Sequence, residues 1–425
     1  MFYDSLDREI DSSLGVRHIT VLLLSCGQSM NERGRILSTV GIIHALNDGS
    51  IAAVSVLFPV FKELFHLSYT QVGIITGGGL FITLIGQLVF GRIADGKNVN
   101  SFLLTGMFLT GVSMLLLTFS QSFLTLILFM LVLRFATSFF HPIGVGWISR
   151  TYKKNRLDWA MGIQSGSADI GTFLAIATTL SLTAVWGWGV PLSLWAIFGI
   201  GGLVICIMLT RKLEHHWIIV PKEKKRETLH ETTVDAWRLL KKIKILVPAF
   251  VISGASWGIV ITYLPLLLNA RTSIPLPLIG LLVAMWTGVG SISSLSYGRI
   301  RKRIDRKKVL LVSYFMIGFM GFLLSYFTSI FVIVPVLILL GIAVFLTYPA
   351  LFSFVSEVTH EANEGWTFGV TFTIQTGGST VLSFFSGVLS DLYGIWMPFA
   401  LLGTISLLFG IILLLNYSKP FCTAS

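Results

Sequence analysis

Five ionisable side chains stand inside long apolar stretches of this sequence: His44, Asp48, Arg134, His141 and Asp169. Away from water such groups are costly, about 2.5–3.5 kcal/mol for Arg or Asp at the centre of a membrane helix, so each needs a partner or a purpose. His44 and Asp48 are four residues apart and share one face of a helix. Arg134, Ser138 and His141 form a stripe on a second helix, and Ser165, Asp169 and Thr172 a stripe on a third. At a rise of about 1.5 Å per residue, Asp48, Arg134 and Asp169 reach similar depths near mid-helix. Arg134 keeps its charge and needs an anion, which Asp48, Asp169 or a bound molecule could supply. Two carboxylates against one arginine leave one free to take up and release a proton. Burial favours the neutral carboxyl and a nearby guanidinium the charged one, so a carboxylate that gains and loses Arg134 could release its proton on one side only. The plainer alternative is a permanent Arg134–carboxylate pair that fixes helix packing. His44 and His141 read either as polar groups satisfied by a neighbouring helix or as a proton relay. Metal ligation by these histidines and Asp48 is disfavoured, because no thiolate or methionine cluster accompanies them.

The elements that position these groups are apolar runs long enough to span a bilayer. The chain has 425 residues, 54% hydrophobic and only 12% charged, with a mean hydropathy of +0.82. Soluble proteins carry roughly a quarter charged residues, so an ordinary soluble enzyme and a disordered chain are excluded. Twelve runs of about 20 residues are present, at 36–61, 70–94, 101–119, 123–148, 159–183, 190–210, 245–268, 276–298, 309–327, 330–356, 367–390 and 396–416. They are continuous rather than alternating, which excludes a transmembrane β-barrel. The expected fold is an all-α membrane protein of two six-helix bundles, 36–210 and 245–416. A basic central loop, 211–244, joins them, and a segment 1–35 and a tail 417–425 flank them. The Ile19–Cys26 run is too short to span and is not read as a signal peptide. Three scattered cysteines, Cys26, Cys206 and Cys422, indicate neither disulfides nor a zinc site.

With both termini cytoplasmic, 28 of the 31 Lys and Arg residues fall on the inner side. Only Lys62 and Arg271 fall outside, and Arg134 lies in a span. That distribution sets the orientation and accounts for the +11 charge without nucleic acid. The halves are parallel repeats. A shift of 207 residues brings Gly73 onto Gly280, Gly91-Arg92-Ile93 onto Gly298-Arg299-Ile300, Pro142 onto Pro349, Trp159 onto Trp366 and Gly171 onto Gly378. Such repeats place a substrate site near the midplane, between bundles that rock against each other.

These features are similar to the major facilitator superfamily. Gly91-Arg92-Ile93-Ala94-Asp95-Gly96-Lys97 resembles its Gly-x-Leu-Ala-Asp-Arg-x-Gly signature, with Gly96 where Arg is usual. The second copy, Gly298-Arg299-Ile300-Arg301-Lys302-Arg303, has Lys302 in place of the acid. Within the superfamily, His44-Ala45-Leu46-Asn47-Asp48 with Pro59, and Phe140-His141-Pro142-Ile143-Gly144 followed by Met161-Gly162-Ile163, resemble the fosmidomycin-resistance branch of efflux proteins. The resemblance implies proton-coupled efflux of a small organic compound of antibiotic type by alternating access. It also implies a cytoplasmic gate built on Gly91, Arg92, Asp95, Gly298 and Arg299, in which Asp95 meets the positive end of a helix.

The interiors of the C-terminal spans carry no ionisable group. Trp257, Tyr263, Trp286, Tyr348 and Gln375 are the expected substrate lining from that half, with Asn47 and Arg134 from the other. Pro142 and Pro349 are a symmetric pair of bends or hinges. Seventeen of the 41 glycines lie in the second, fifth, eighth and eleventh runs, which implies close interhelical approach. The inner loops differ in charge: Arg299–Lys308 carries seven basic residues, Glu357–Glu364 three acids and no Lys or Arg. No nucleophile or cofactor motif and no Walker-type sequence are present, so neither an enzyme nor ATP-driven transport is indicated. The expected partners are the bilayer, protons and a small molecule, with no obligate protein partner. The alternative function is uptake or facilitated diffusion of an organic anion bound by Arg134.

Overall fold

The computed structural model describes residues 31–93, 98–152, 154–211, 213, 237–358 and 364–418, and the chain is helical through them. The N-terminal half comprises α1 (Glu32–Val56), α2 (Phe58–Leu64), α3 (Tyr69–Ile93), α4 (Val99–Leu117), α5 (Phe123–Thr137), α6 (Phe140–Thr151), α7 (Lys154–Trp186) and α8 (Gly189–Thr210). The C-terminal half comprises α9 (Val247–Arg271), α10 (Leu276–Leu295), α11 (Tyr297–Arg301), α12 (Arg306–Tyr326), α13 (Ile330–Val358), α14 (Glu364–Tyr393) and α15 (Met397–Leu415). Asp95, most of the central loop, the segment before Asn31, residues 359–363 of the acidic loop and the last seven residues lie outside the described residues. So do the side chains of Gly91 and Arg92, while Gly298 and Arg299 sit on the short α11.

Among the described residues, eleven spans are long and apolar enough to cross a membrane, with α5 and α6 counted as one. The remaining expected span is α14, which has the length, 30 residues. Its Thr, Ser, Gly and Gln residues dilute its apolar character, and it packs mainly on protein, against α3 and α9.

Of two repeat-related prolines, one breaks its helix and the other does not. Pro142 has no N–H to offer the carbonyl of Ser138 and its ring crowds that residue. The fourth span accordingly splits between α5 and α6 at Ser138–Phe139. The carbonyl freed at Arg134 is taken up by hydroxyls, Thr137 Oγ1 at 3.2 Å and Thr83 Oγ1 at 3.4 Å. At the repeat-equivalent Pro349, α13 runs on without interruption.

Repeat symmetry reappears in the packing. Gly171 of α7 lies against the Ala45 carbonyl of α1, where any Cβ would collide. Its counterpart Gly378 of α14 lies against Val251 of α9, with its Cβ position 2.8 Å from the Val251 Cα. Only a residue without Cβ lets the paired helices close to this distance.

Among the described residues, the two halves meet on one side only. Let the terminal face be the one bearing Asn31 and Tyr417, and the far face its opposite. At the far face Gly73 and Gly77 of α3 abut Phe384 and Thr380 of α14, Asn269 donates to Glu63 at 2.7 Å, and Gly280 of α10 packs on Ile176 and Leu180 of α7. One continuous apolar core therefore joins Phe58, Phe61, Val72 and Ile176 to Tyr263, Leu266 and Val283. On the terminal side the N-terminal half has a separate core around Ile36, Val40, Phe139 and Trp147. There a Cβ added at Gly162, Gly166, Gly369 or Gly377 would meet nothing within 4 Å. Among the described residues, the molecule is closed at the far face and open between its halves at the terminal face.

Candidate functional site

The break after α5 brings His141, at the start of α6, beside the His44–Asp48 face of α1. His44 Nε2 lies 3.3 Å from Asp48 Oδ2, and His141 Nε2 lies 3.7 Å from Asp48 Oδ1. The imidazole rings are 5.3 Å apart in an edge-on arrangement, and Phe140 lies against His44 with ring centroids 4.3 Å apart. Asn47 Nδ2 donates to Asp48 Oδ1 at 3.0 Å. Gln164 of α7, which the sequence reading did not single out, fixes His44. Its backbone oxygen is 3.0 Å and its side-chain Oε1 2.7 Å from His44 Nδ1, while its Nε2 donates to Ser165 Oγ at 2.9 Å. Both Gln164 atoms facing Nδ1 are acceptors, so Nδ1 carries the hydrogen.

Arg134 stands apart from this cluster. Its residue is 5% exposed, its Nε has no hydrogen-bond partner, and no carboxylate among the described residues lies within 4.0 Å of its guanidinium. Its Cγ is 2.8 Å from where a Cβ of Gly79 would stand, so α3 needs glycine there for α5 to carry this side chain. Asp48 is the carboxylate whose charge acts on Arg134, from beyond ion-pair distance. A permanent Arg–carboxylate pair is therefore not what holds these helices together in this conformation.

Asp169 sits on α7 where the halves meet. The Ser291 hydroxyl of α10, in the other half, lies in its neighbourhood, and the charges of Asp48 and His44 also reach it. The two carboxylates are thus differently held, Asp48 by three side chains of its own half and Asp169 at the seam near Ser291, with no ion-pair partner among the described residues.

The expected lining from the C-terminal half divides. Tyr263 is fully buried and donates to the Ser383 carbonyl at 2.7 Å, locking α9 to α14. Trp286 is also fully buried, packed on Phe345 at 5.6 Å and against Gly341. Both are packing residues here rather than cavity lining, because the period that puts an aromatic on an inward face does not say whether a neighbouring helix covers it. Gln375 and Tyr348 meet at Ser253: Gln375 Nε2 donates to Ser253 Oγ at 3.3 Å and the Tyr348 hydroxyl to the Ser253 carbonyl at 3.4 Å. Thr347 Oγ1 completes this neutral cluster, 2.8 Å from Ser253 Oγ. Trp257 is partly buried on α9. Tyr348 is the repeat equivalent of His141, so one position carries an ionisable ring in the first half and a neutral phenol in the second.

Comparison with known proteins places this architecture. The profile of the Major Facilitator Superfamily matches residues 40–381 and 249–421, and the chain belongs to that family of membrane transporters. It is 21% identical over 373 residues to the MFS-type transporter MJ1560 of Methanocaldococcus jannaschii, covering 87% of this chain and 95% of that one. It is 28% identical over 157 residues to the MFS-type transporter YfnC of Bacillus subtilis, a match spanning 36% of this chain and only 38% of the relative. Among solved structures, a bacterial homologue of the human lysosomal transporter Spinster, in an inward-facing and unoccupied conformation, superposes with a TM-score of 0.70 at 14% identity over 92% of this chain and 97% of that one. The chain is a multi-pass membrane transporter, not an enzyme.

Proposed function

We propose that this protein is a proton-coupled exporter of a small organic anion, embedded in the cell membrane with both termini cytoplasmic, and that Arg134 is its anion receptor. The observation that carries the reading is the buried guanidinium of Arg134 with no carboxylate in reach. A buried charge with no ion-pair partner is unfavourable, so it is retained for a partner that comes and goes. A carboxylate, phosphonate or phosphate would complete its fork. Asp169 is the proposed proton carrier. Asp48 is held by His44, His141 and Asn47, whereas Asp169 has no ion-pair partner among the described residues and lies near Ser291 at a seam that must part when the far face opens. Movement of one charge through 100 mV supplies about 2.3 kcal/mol, enough to bias a two-state rocking equilibrium.

The charge of the open face supports export as the direction. The opening lies on the side that holds nearly all the Lys and Arg residues, which draws organic anions to it from the cytoplasm by the positive-inside orientation. The likeness of the stretches 44–48 and 140–144 to the fosmidomycin-resistance branch supports an antibiotic-type or phosphonate-like substrate. The Gly91–Lys97 and Gly298–Arg303 loops are the proposed gate of the opposite state, with Pro142 as its hinge.

Counterflow in proteoliposomes tests the receptor. Wild-type protein, preloaded in turn with carboxylates, phosphonates and neutral analogues, should accumulate labelled anions only, and Arg134→Gln should not. Counterflow of neutral compounds that survives Arg134→Gln would overturn the reading.

A further inference from the structure

We propose that His44, Asp48 and His141 form a binding site for a divalent transition-metal ion of the zinc class. The first support is the tautomer of His44. Its Nδ1 faces two acceptors of Gln164, at 3.0 Å and 2.7 Å, so that nitrogen bears the hydrogen. In the neutral ring Nε2 is then a bare lone pair, and what it faces at 3.3 Å is a carboxylate oxygen, Asp48 Oδ2. Two acceptors at this distance repel unless a proton or a metal cation lies between them.

The second support is convergence. One donor atom from each of the three side chains lies within 4.8 Å of the others, two from adjacent turns of α1 and one from α6. In a tetrahedral zinc site with bonds of about 2.0–2.2 Å, donors stand about 3.3–3.6 Å apart. The His44–Asp48 separation already has that value, and the His141–Asp48 separation is 3.7 Å. The helix break before His141 lets α6 close the remainder without disturbing α5.

A third feature is the outer shell. Gln164 orients His44 through its non-ligating nitrogen, and Asn47 donates to Asp48 Oδ1 at 3.0 Å, as outer partners do in metal sites. The Asp48 and His141 side chains are 27% and 40% exposed, so one side of the cluster faces the cleft and leaves a coordination position for water or a chelating group. Two imidazoles and one carboxylate suit zinc, cobalt or nickel, whereas magnesium and calcium take oxygen sets. The sequence alone disfavours this ligation, because His141 is 93 positions from Asp48 and nothing in the spacing shows that the three side chains converge.

The test uses the full chain, purified in detergent and stripped with a chelator. Titration with Co²⁺ should develop the visible absorption of a low-coordinate nitrogen–oxygen site at one equivalent, and Zn²⁺ should abolish it. His141→Gln and Asp48→Asn should remove the band, and Gln164→Ala should weaken binding about 10–100-fold through the outer shell. Thermal melts of each variant show whether the fold is retained. If His141→Gln does not fold, Gln164→Ala, which leaves all three ligands in place, carries the test. No band in the wild type, or one that persists undiminished in the folded variants, would overturn the proposal. The site does not depend on transport: Arg134→Gln should bind Co²⁺ as wild type does, so failure of the metal site and failure of the anion reading are separately visible.

Discussion

Asp391 caps a helix that belongs to the other half of the molecule: its Oδ1 accepts from the backbone N–H of Tyr69 at 2.9 Å, and its Oδ2 from that of Thr70 at 2.7 Å. The first turn of α3 has unsatisfied N–H groups and the positive end of a helix dipole, and a carboxylate there answers both. The residue supplying it is the third from the end of α14. The cap exists only while the far face is closed, so it favours the conformation open at the terminal face.

Asp391→Ala should therefore shift the equilibrium toward the state open at the far face. Loss of a cap costs about 0.5–2 kcal/mol, and a shift of that size raises the open population several-fold. With Cys26, Cys206 and Cys422 replaced by Ser and Leu266→Cys introduced at the buried seam, a membrane-impermeant maleimide should label Asp391→Ala several times faster than its parent. Equal labelling rates would remove the latch.

Two glycines in similar helix contacts should respond differently to one substitution. Gly171→Val forces α7 off α1 inside the N-terminal half, and should lower thermal stability by about 1–3 kcal/mol. Gly387→Val acts at the seam, where the Gly73 Cα is 3.0 Å from its Cβ position. It should leave the melt nearer wild type and raise far-face labelling as Asp391→Ala does. Loss of stability in both with no change in labelling would show that the seam is ordinary packing.

Arg134 should be a residue that function retains against stability. Arg134→Met removes a buried charge that has no ion-pair partner among the described residues, and replacing buried charge by apolar volume stabilises by about 1–4 kcal/mol in favourable cases. The variant should melt higher than wild type while its counterflow rate drops about 10–100-fold, the size expected for charge-assisted hydrogen bonds to the substrate. Arg134→Lys should fall between, keeping the charge and losing the fork. A lower melting temperature for Arg134→Met would mean that the guanidinium is compensated.

Pro142 and Pro349 should separate in transport assays despite their matching places in the repeat. Pro142→Ala allows a continuous α5–α6 helix and removes a proline worth about 3 kcal/mol against that continuity. The straightened span should slow transport, with a higher melting temperature. Pro349→Ala lies in a helix already unbroken and should transport at near the wild-type rate. Matching losses in the two variants would contradict a hinge confined to α6.

Much of this architecture is legible in the sequence because a bilayer enforces it. Apolar runs of spanning length, basic loops and a 207-residue repeat follow from the cost of leaving backbone or charge in lipid, and that cost reads out position by position. The groups that form the candidate site are legible for the same reason, since His44, Asp48, Arg134, His141 and Asp169 violate the apolar rule. What the sequence withholds is pairing across helices. Nothing in the spacing tells that His141 rather than Arg134 meets Asp48, that Gln164 orients His44, or that Ser291 lies near Asp169. Tyr263 and Trp286 mislead for a related reason, since an aromatic beside a cavity and one sealed between helices look alike in one dimension. Asp391 is hidden because its partners are backbone amides, which every sequence has.

The central claim is that an anion binds Arg134 while Asp169 carries a proton, and proteoliposomes under an imposed pH gradient test both at once. Internal pH is read while the anions active in counterflow are added, for wild type, Asp169→Asn, Asp48→Asn and Arg134→Gln. Substrate-dependent proton movement in wild type that vanishes in Asp169→Asn, with anion counterflow retained there and lost in Arg134→Gln, is the predicted result. Anion flux without proton movement in the wild type would contradict coupling and leave a facilitated anion carrier.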